Sequence, residues 1–256
     1  MPFLSLFGLA FGGQLAFFGL RYLVICGGAA ALPKLFPGFF APRRISPDPL
    51  PRGQVRREVT YSLLSMLVFA LVGGLVIPHL LAGGGLLYLD LASRSLGYFA
   101  FSLLALVCLH DSYFYWIHRL LHHPLLFRPV HLVHHLSQVP TPWAAFAFHP
   151  LEALLMAVFV PGMVWLLPLH PLAIALFLTY MTLINAWGHW GYALLPTWFP
   201  HRWPWAASNT AVHHAQHHAE FNCNYGLYWN LWDRAMGTNH PDYLALYDQI
   251  QARIRQ

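Results

Sequence analysis

The chain has 256 residues, 57% of them hydrophobic and only 9% charged. A soluble domain carries about 25% charged residues, so this composition excludes an ordinary water-soluble fold and points to one integral membrane unit over residues 1–256. The formal charge of +5 does not describe a nucleic-acid surface, because Lys34, Arg43, Arg44, Arg52, Arg56 and Arg57 gather beside apolar runs. No nucleic-acid partner is expected.

The stretch from Phe3 to about Cys26 is apolar apart from Gln14 and Arg21, close to the ~20 residues that a membrane helix needs. It lacks a basic leading segment and a small-residue cleavage site, so it reads as a retained first span and not as a removed signal peptide. The proline-containing loop from Pro37 to Arg57 is cytoplasmic by the positive-inside rule, and residues 1–58 make up this span and loop. A single lysine, Lys34, against thirteen arginines hints at a GC-rich genome, so a bacterial inner membrane is expected in preference to the endoplasmic reticulum.

A second span runs from about Tyr61 to Leu81. Gly83 to Gly85 and the stretch Asp90 to Arg94 break the run, and a third span follows from Leu96 to about Ile117. Residues 59–123 thus hold two spans and the first histidine cluster. Residues 124–256 form a histidine-rich cap into which an apolar block, Leu151 to Trp187, is inserted. That block is too long for one span and has Pro168 and Pro171 near its middle, so it reads as a helical hairpin over 151–188 turned at L-P-L-H-P. The expected fold is all-α: a polytopic membrane bundle of about four embedded helices plus a hairpin, under a cytosolic histidine-rich helical cap.

Every histidine cluster then lies on the cytoplasmic side. The third span ends with His118 and His122, four residues apart and one helical turn apart on one face. Asp111 lies on the same stripe. In F-R-P-V-H-L-V-H-H-L, Pro129 is expected to open a new helix, with His131, His134 and His135 sharing a face at i, i+3 and i+4. His214, His217 and His218 repeat that spacing, and His189 stands at the cytoplasmic end of the hairpin with Asn185 one turn before it. Neutral imidazole is a good ligand for iron, copper, nickel and zinc. Nine histidines are too many for one ion and suit two ions with open positions. His149 stands between a role at the site and packing with Glu152, and His213 is a neighbour of the ligands. His79 and His170 read as interfacial, His201 and His240 as loop residues, and His110 and His123 flank the first cluster without matching its face. Asp111 and Asn185 are the candidate catalytic side chains, with a capping or solvated role for Asp111 equally open. Cys26, Cys108 and Cys223 are far apart with no CxxC spacing, which excludes a disulfide framework.

With these residues in view, the chain resembles the fatty acid hydroxylase and sterol desaturase superfamily, the integral-membrane diiron oxygenases. The resemblance runs from about His110 to Tyr243 and rests on H-x-x-x-H (His118, His122), two H-x-x-H-H boxes (His131 to His135, His214 to His218) and N-Y-G at Asn224 to Gly226. T-P-W-A-A-F-A-F-H-P-L-E and Y-G-L-Y-W-N-L-W-D-R-A-M-G-T look most like its sterol C-5 desaturase branch. What the resemblance implies is two iron ions held by the boxed histidines and His189, with zinc or another metal able to replace iron in a purified sample. It also implies dioxygen as co-substrate, a membrane lipid as substrate, and electrons from an external b-type cytochrome or ferredoxin with its reductase. Hydroxylation and desaturation both stay open. One departure is Ala215, where many relatives carry an acid. Two other readings of the residues stay open, a b-type haem electron carrier and a metal transporter or sensor.

Overall fold

The computed structural model describes residues 2–254, which form helices joined by loops and isolated β-bridges. Helix α1 (Phe3–Leu35) outlasts the expected end at Cys26, since Gly27 to Leu32 carries three alanines, the best helix formers, before Pro33 in its last turn. After a short α2 (Pro37–Phe40), α3 (Gln54–Leu81) starts earlier than expected, in Q-V-R-R-E-V-T. Helix α4 (Leu96–Leu121) is capped by Ser95, whose hydroxyl accepts from the Tyr98 amide.

Beyond α4 the chain makes α5 (Pro124–Leu126), a π-helical turn (Phe127–His131) and α6 (Leu132–His135). The expectation that Pro129 opens a helix is therefore corrected: Pro124 does, with His123 as its cap, and Pro129 falls inside the wide turn. Proline has no N–H to give to the α pattern, and the ladder widens there, the Leu132 amide reaching Phe127 O.

The hairpin consists of α7 (Pro150–Ala157), α8 (Phe159–Leu166) and α9 (Pro171–Gly188). Its first arm is broken at Val158, and its turn pairs with the loop after α3 through Leu169 N to Leu86 O and Tyr88 N to Leu169 O. Helices α1, α3, α4 and α9 are long and apolar enough to cross a bilayer. These are the four embedded helices expected, the fourth being also the second arm of the hairpin. The cap is completed by α10 (Ala211–Glu220), α11 (Leu231–Ala235) and α12 (Tyr243–Ile254). Leucines exposed along the outer faces, among them Leu4, Leu20, Leu67, Leu75 and Leu104, would be an aggregation liability in water. In a bilayer they face lipid, consistent with an integral multi-pass protein.

Inside the bundle, Phe18, Tyr22 and Cys26 of α1 pack on Met66 of α3 and on Ala145, Phe146 and Phe148 of the loop before α7. The same loop is hydrogen-bonded to the spans: Tyr22 Oη and Ser62 Oγ both donate to Trp143 O, at 2.7 and 2.9 Å. Glu58, fully buried, accepts from Gln54 Nε2 at 2.8 Å and from the Thr141 hydroxyl. These contacts tie the segment that follows the second histidine box to the membrane helices.

Helix α1 packs on α3 at Gly73 and Gly74, where an added Cβ would lie 3.0 Å from Gln14 Cγ and from Phe7 Cε2 respectively. Inserting bulk into such a contact costs about 1–3 kcal/mol. Gly74→Val is expected to lower the thermal unfolding midpoint of the detergent-purified protein, while the exposed Gly8→Val is not.

Candidate metal centre

The ligand geometry is set by where each imidazole keeps its proton. His118, in the last turn of α4, has Nδ1 at 2.8 Å from Tyr225 O; His217 of α10 has Nδ1 at 2.6 Å from Cys223 O; His189, just past α9, has Nδ1 at 2.7 Å from Asn185 O. A carbonyl only accepts, so in all three the proton is on Nδ1 and the Nε2 lone pair is free. His118 Nε2 and His217 Nε2 are buried without a hydrogen-bond partner among the described residues. Such groups are costly unless a ligand takes the lone pair.

The free nitrogens converge on two points. His118, His122, His131, His135 and His217 form one group, and His134, His189, His214 and His218 the other, the ligand atoms of each group lying within 4.8 Å of one another. In the first, His135 Nε2 is 3.1 Å from both His122 Nε2 and His131 Nε2. In the second, His189 Nε2 is 3.3, 3.0 and 3.3 Å from the Nε2 atoms of His134, His214 and His218. Nitrogens bound to one ion at about 2.0–2.1 Å stand about 3.0–3.4 Å apart, so both groups have the spacing of a coordination sphere, and the donor set fits a transition metal. Five and four converging imidazoles also exceed the two axial positions of a haem.

One expectation is corrected. The boxes do not present their histidines on a common face: His131 and His135 belong to the first group and His134 to the second, while His214 and His218 belong to the second and His217 to the first. At 100° per residue, positions i and i+4 stack, whereas i+3 and i+4 diverge by a full 100°. Each box therefore aims at both points at once.

Burial pushes the pKa of the cap histidines down, and neighbouring imidazoles push it further: His131, His134, His135, His214, His217 and His218 lie well below the usual value, and His189 falls to about 4. They are neutral at pH 7 and ready to bind a cation.

The supporting shell holds what the sequence did not indicate. Glu152 of α7 is buried, with Oε1 at 2.9 Å from His131 Nδ1 and, among the described residues, no hydrogen-bond partner on Oε2. It stands on His131 and not beside His149, which caps α7 by accepting from the Leu151 amide. The available signal was an acid within an apolar block, where ionisable groups are usually functional. Asp233 accepts from the Tyr225 and Gly226 amides, both at 2.8 Å, and from Thr238 Oγ1 at 2.7 Å, shaping the loop whose Tyr225 carbonyl holds His118. The N-Y-G stretch needs its glycine there, since a Cβ at Gly226 would lie 2.4 Å from Trp229 O.

Asp111 touches no ligand histidine; its Oδ1 accepts from the amides of Tyr228 at 3.0 Å and Trp229 at 3.3 Å. Asn185 gives its carbonyl to His189, and its side chain borders an apolar cavity. His213 stays outside both groups, against Tyr243 and near Asn239. His170 caps α9, His201 pairs with Asp248, and His240 pairs with Glu220. His79 packs beside Trp165. Ala215 is half-buried on α10.

Residues 103–238 match the fatty acid hydroxylase family. The chain is 29% identical over 249 residues to a Delta(7)-sterol 5(6)-desaturase of Gibberella zeae, covering 94% of this chain and 72% of that protein. It is 31% identical over 192 residues to lathosterol oxidase of Homo sapiens and 33% identical over 196 residues to that of Rattus norvegicus. These alignments cover 73% and 74% of this chain but only 62% and 63% of the two oxidases. No solved structure matches the chain.

Two outcomes are expected. Replacing the carboxylate behind a ligand histidine typically costs about 10–100-fold in metal affinity, so Glu152→Gln should weaken metal binding by that factor, read by competition with a chelator. The second follows from the lowered histidine pKa values. A group whose folded pKa is depressed stabilises fully above its unfolded value, here about 6.5, and loses that contribution as pH falls towards the folded one. Metal-free protein should keep its melting temperature above pH 6.5 and lose it progressively between 6.5 and about 4, the value for His189.

Proposed function

Because the chain belongs to the fatty acid hydroxylase family, we propose that it is a membrane-bound diiron oxygenase that hydroxylates or desaturates a sterol-like or fatty-acyl lipid. One observation carries the reading: nine imidazoles, eight of them buried and His122 half-buried, with ligand nitrogens gathered in groups of five and four, stand beside an apolar cavity of about 500 Å³. Cavity and histidines adjoin, since Phe148 lies 5.3 Å from the His134 ring and Phe114 lies 5.1 Å from the His118 ring.

When bound, two iron ions supply the activation of dioxygen that no side chain can perform. The balance for hydroxylation is R–H + O₂ + 2 e⁻ + 2 H⁺ → R–OH + H₂O, and for desaturation two C–H bonds are lost and two waters form. The chain's own residues do the rest. His118, His122, His131, His135 and His217 would hold one ion, and His134, His189, His214 and His218 the other. Tyr225, Cys223 and Asn185 keep the tautomers of His118, His217 and His189 through their carbonyls, and Glu152 orients His131. Phe114, Phe146, Phe148, Phe159 and Phe177 line the cavity, present hydrocarbon to hydrocarbon and exclude water from it. Asp111 and Asn185 act as positioning residues, the first for Tyr228 and the second for His189.

The sterol names of the relatives support a polycyclic lipid. Electrons would come from an external b-type cytochrome or ferredoxin with its reductase at the cap. The arginines between α1 and α3 support a cytoplasmic cap, and their excess over lysine supports a bacterial inner membrane.

Purified protein is expected to bind about two iron ions per chain, and His131→Ala to lose both metal and turnover. Lipid profiles of cells with and without the gene should differ by a species gaining one oxygen or losing two hydrogens. Unchanged sterols, hopanoids, fatty acids and ether lipids, or full activity in His131→Ala, would sink the reading.

A further inference from the structure

His110 lies on α4 eight residues before His118, about 12 Å along the helix axis, and is only 5% exposed. It belongs to neither histidine group. Its Nδ1 is 2.9 Å from Tyr228 Oη, and its Nε2 has no partner among the described residues. The ring lines the cavity, wedged edge-on between Phe159 at 4.8 Å and Phe177 at 5.2 Å. These rings keep the imidazole from turning towards another protein group. Tyr228 is fixed in turn, stacked on Tyr180 at 5.3 Å and held through its amide by Asp111. A built pair of polar side chains therefore ends in one unmatched ring nitrogen at the wall of a mainly apolar cavity, whose other polar lining residues are Gln14 and Asn185.

We propose that His110, oriented by Tyr228, hydrogen-bonds the single hydroxyl of an otherwise hydrocarbon lipid and thereby selects lipid alcohols as substrates. The inference rests on the lipid-oxygenase reading and narrows its substrate class. The chemistry favours a hydroxyl over other groups. If Tyr228 donates to Nδ1, Nε2 carries the proton and donates; if Nδ1 donates to Tyr228, Nε2 accepts. A hydroxyl does both and satisfies either tautomer, whereas an ether or ketone satisfies only the first. A carboxylate or phosphate would need a cation, and the groups around His110 are Phe114, Phe159, Phe177 and Tyr228. A pure hydrocarbon leaves a buried polar nitrogen unmatched, which is penalised.

The position also bears on where the lipid reacts. His110, Phe114 and His118 form a column with ring spacings of 6.1 and 5.1 Å. A hydroxyl held at His110 would therefore stand on the order of 10 Å from the first histidine group, a distance that a fused-ring skeleton can span.

The test is equilibrium binding to metal-loaded protein in nanodiscs, using tritiated 5α-cholestan-3β-ol against its deoxy counterpart 5α-cholestane. The wild type is expected to prefer the alcohol by about tenfold, the worth of one buried hydrogen bond. His110→Phe should bring the two probes within about twofold while retaining the wild-type metal content, and His110→Gln should recover part of the preference. If His110→Phe fails to fold, Tyr228→Phe decides: it leaves the imidazole but frees Nδ1, and the preference should fall. An alcohol preference absent from the wild type, or unchanged in the variant that folds, overturns the role of His110 while binding of both probes leaves the lipid-oxygenase reading standing. If the wild type binds neither probe, the apolar cavity takes no sterol-like lipid and the role of His110 falls, while the lipid-oxygenase reading is decided separately by metal content and lipid profiles.

Discussion

The structure depends on one constraint: buried imidazoles must put their protons on the outside and their lone pairs on the inside of the cluster. Backbone carbonyls enforce this. Tyr225, Cys223 and Asn185 each present an oxygen to an Nδ1, and an oxygen without a proton admits only one tautomer. Without those contacts the rings would be free to pair with one another as ordinary hydrogen-bond partners. With them, His189 Nε2 turns its lone pair to the Nε2 atoms of His134, His214 and His218 at 3.0–3.3 Å, and His118 Nε2 and His217 Nε2 stay without a partner among the described residues, an arrangement that a cation satisfies. A metal held by these groups would thereby couple its binding to the folding of the cap.

The chain has nine acidic residues, and four of them, Glu58, Asp111, Glu152 and Asp233, are buried. Each fastens one part of the cap. Glu58 secures the loop after the second box, Glu152 meets His131, Asp233 shapes the loop that holds His118, and Asp111 ties the chain at Tyr228 and Trp229 to α4. In a protein this poor in charge, buried carboxylates are expensive and appear where a loop has to be held against a rigid helix. The cap reaches down along α4 as well, since Trp232 Nε1 donates to Ser112 Oγ at 3.1 Å.

The same carboxylates connect the metal centre to the cavity. Asp111 positions Tyr228, Tyr228 meets His110, and His110 faces the apolar space that ends at the rings beside His118 and His134. Cavity wall and histidine groups are thus parts of one packed unit, in which the hairpin supplies Phe159 and Phe177 from one side and α4 supplies His110 and Phe114 from the other.

Much of this was legible in the chain itself. Long apolar runs located the spans, because a bilayer demands about 20 such residues whatever their neighbours. Paired prolines located the hairpin turn, and histidines at three- and four-residue spacings marked the three boxes. Those signals are local, set by one helix and its own periodicity. What tertiary structure alone decided was the division of nine histidines into five and four, which depends on how four separate segments are rotated against each other. The partnership of Glu152 with His131 and the place of His110 in the cavity wall were decided the same way. A helical repeat specifies the angle between two side chains on one helix, but not what stands opposite them.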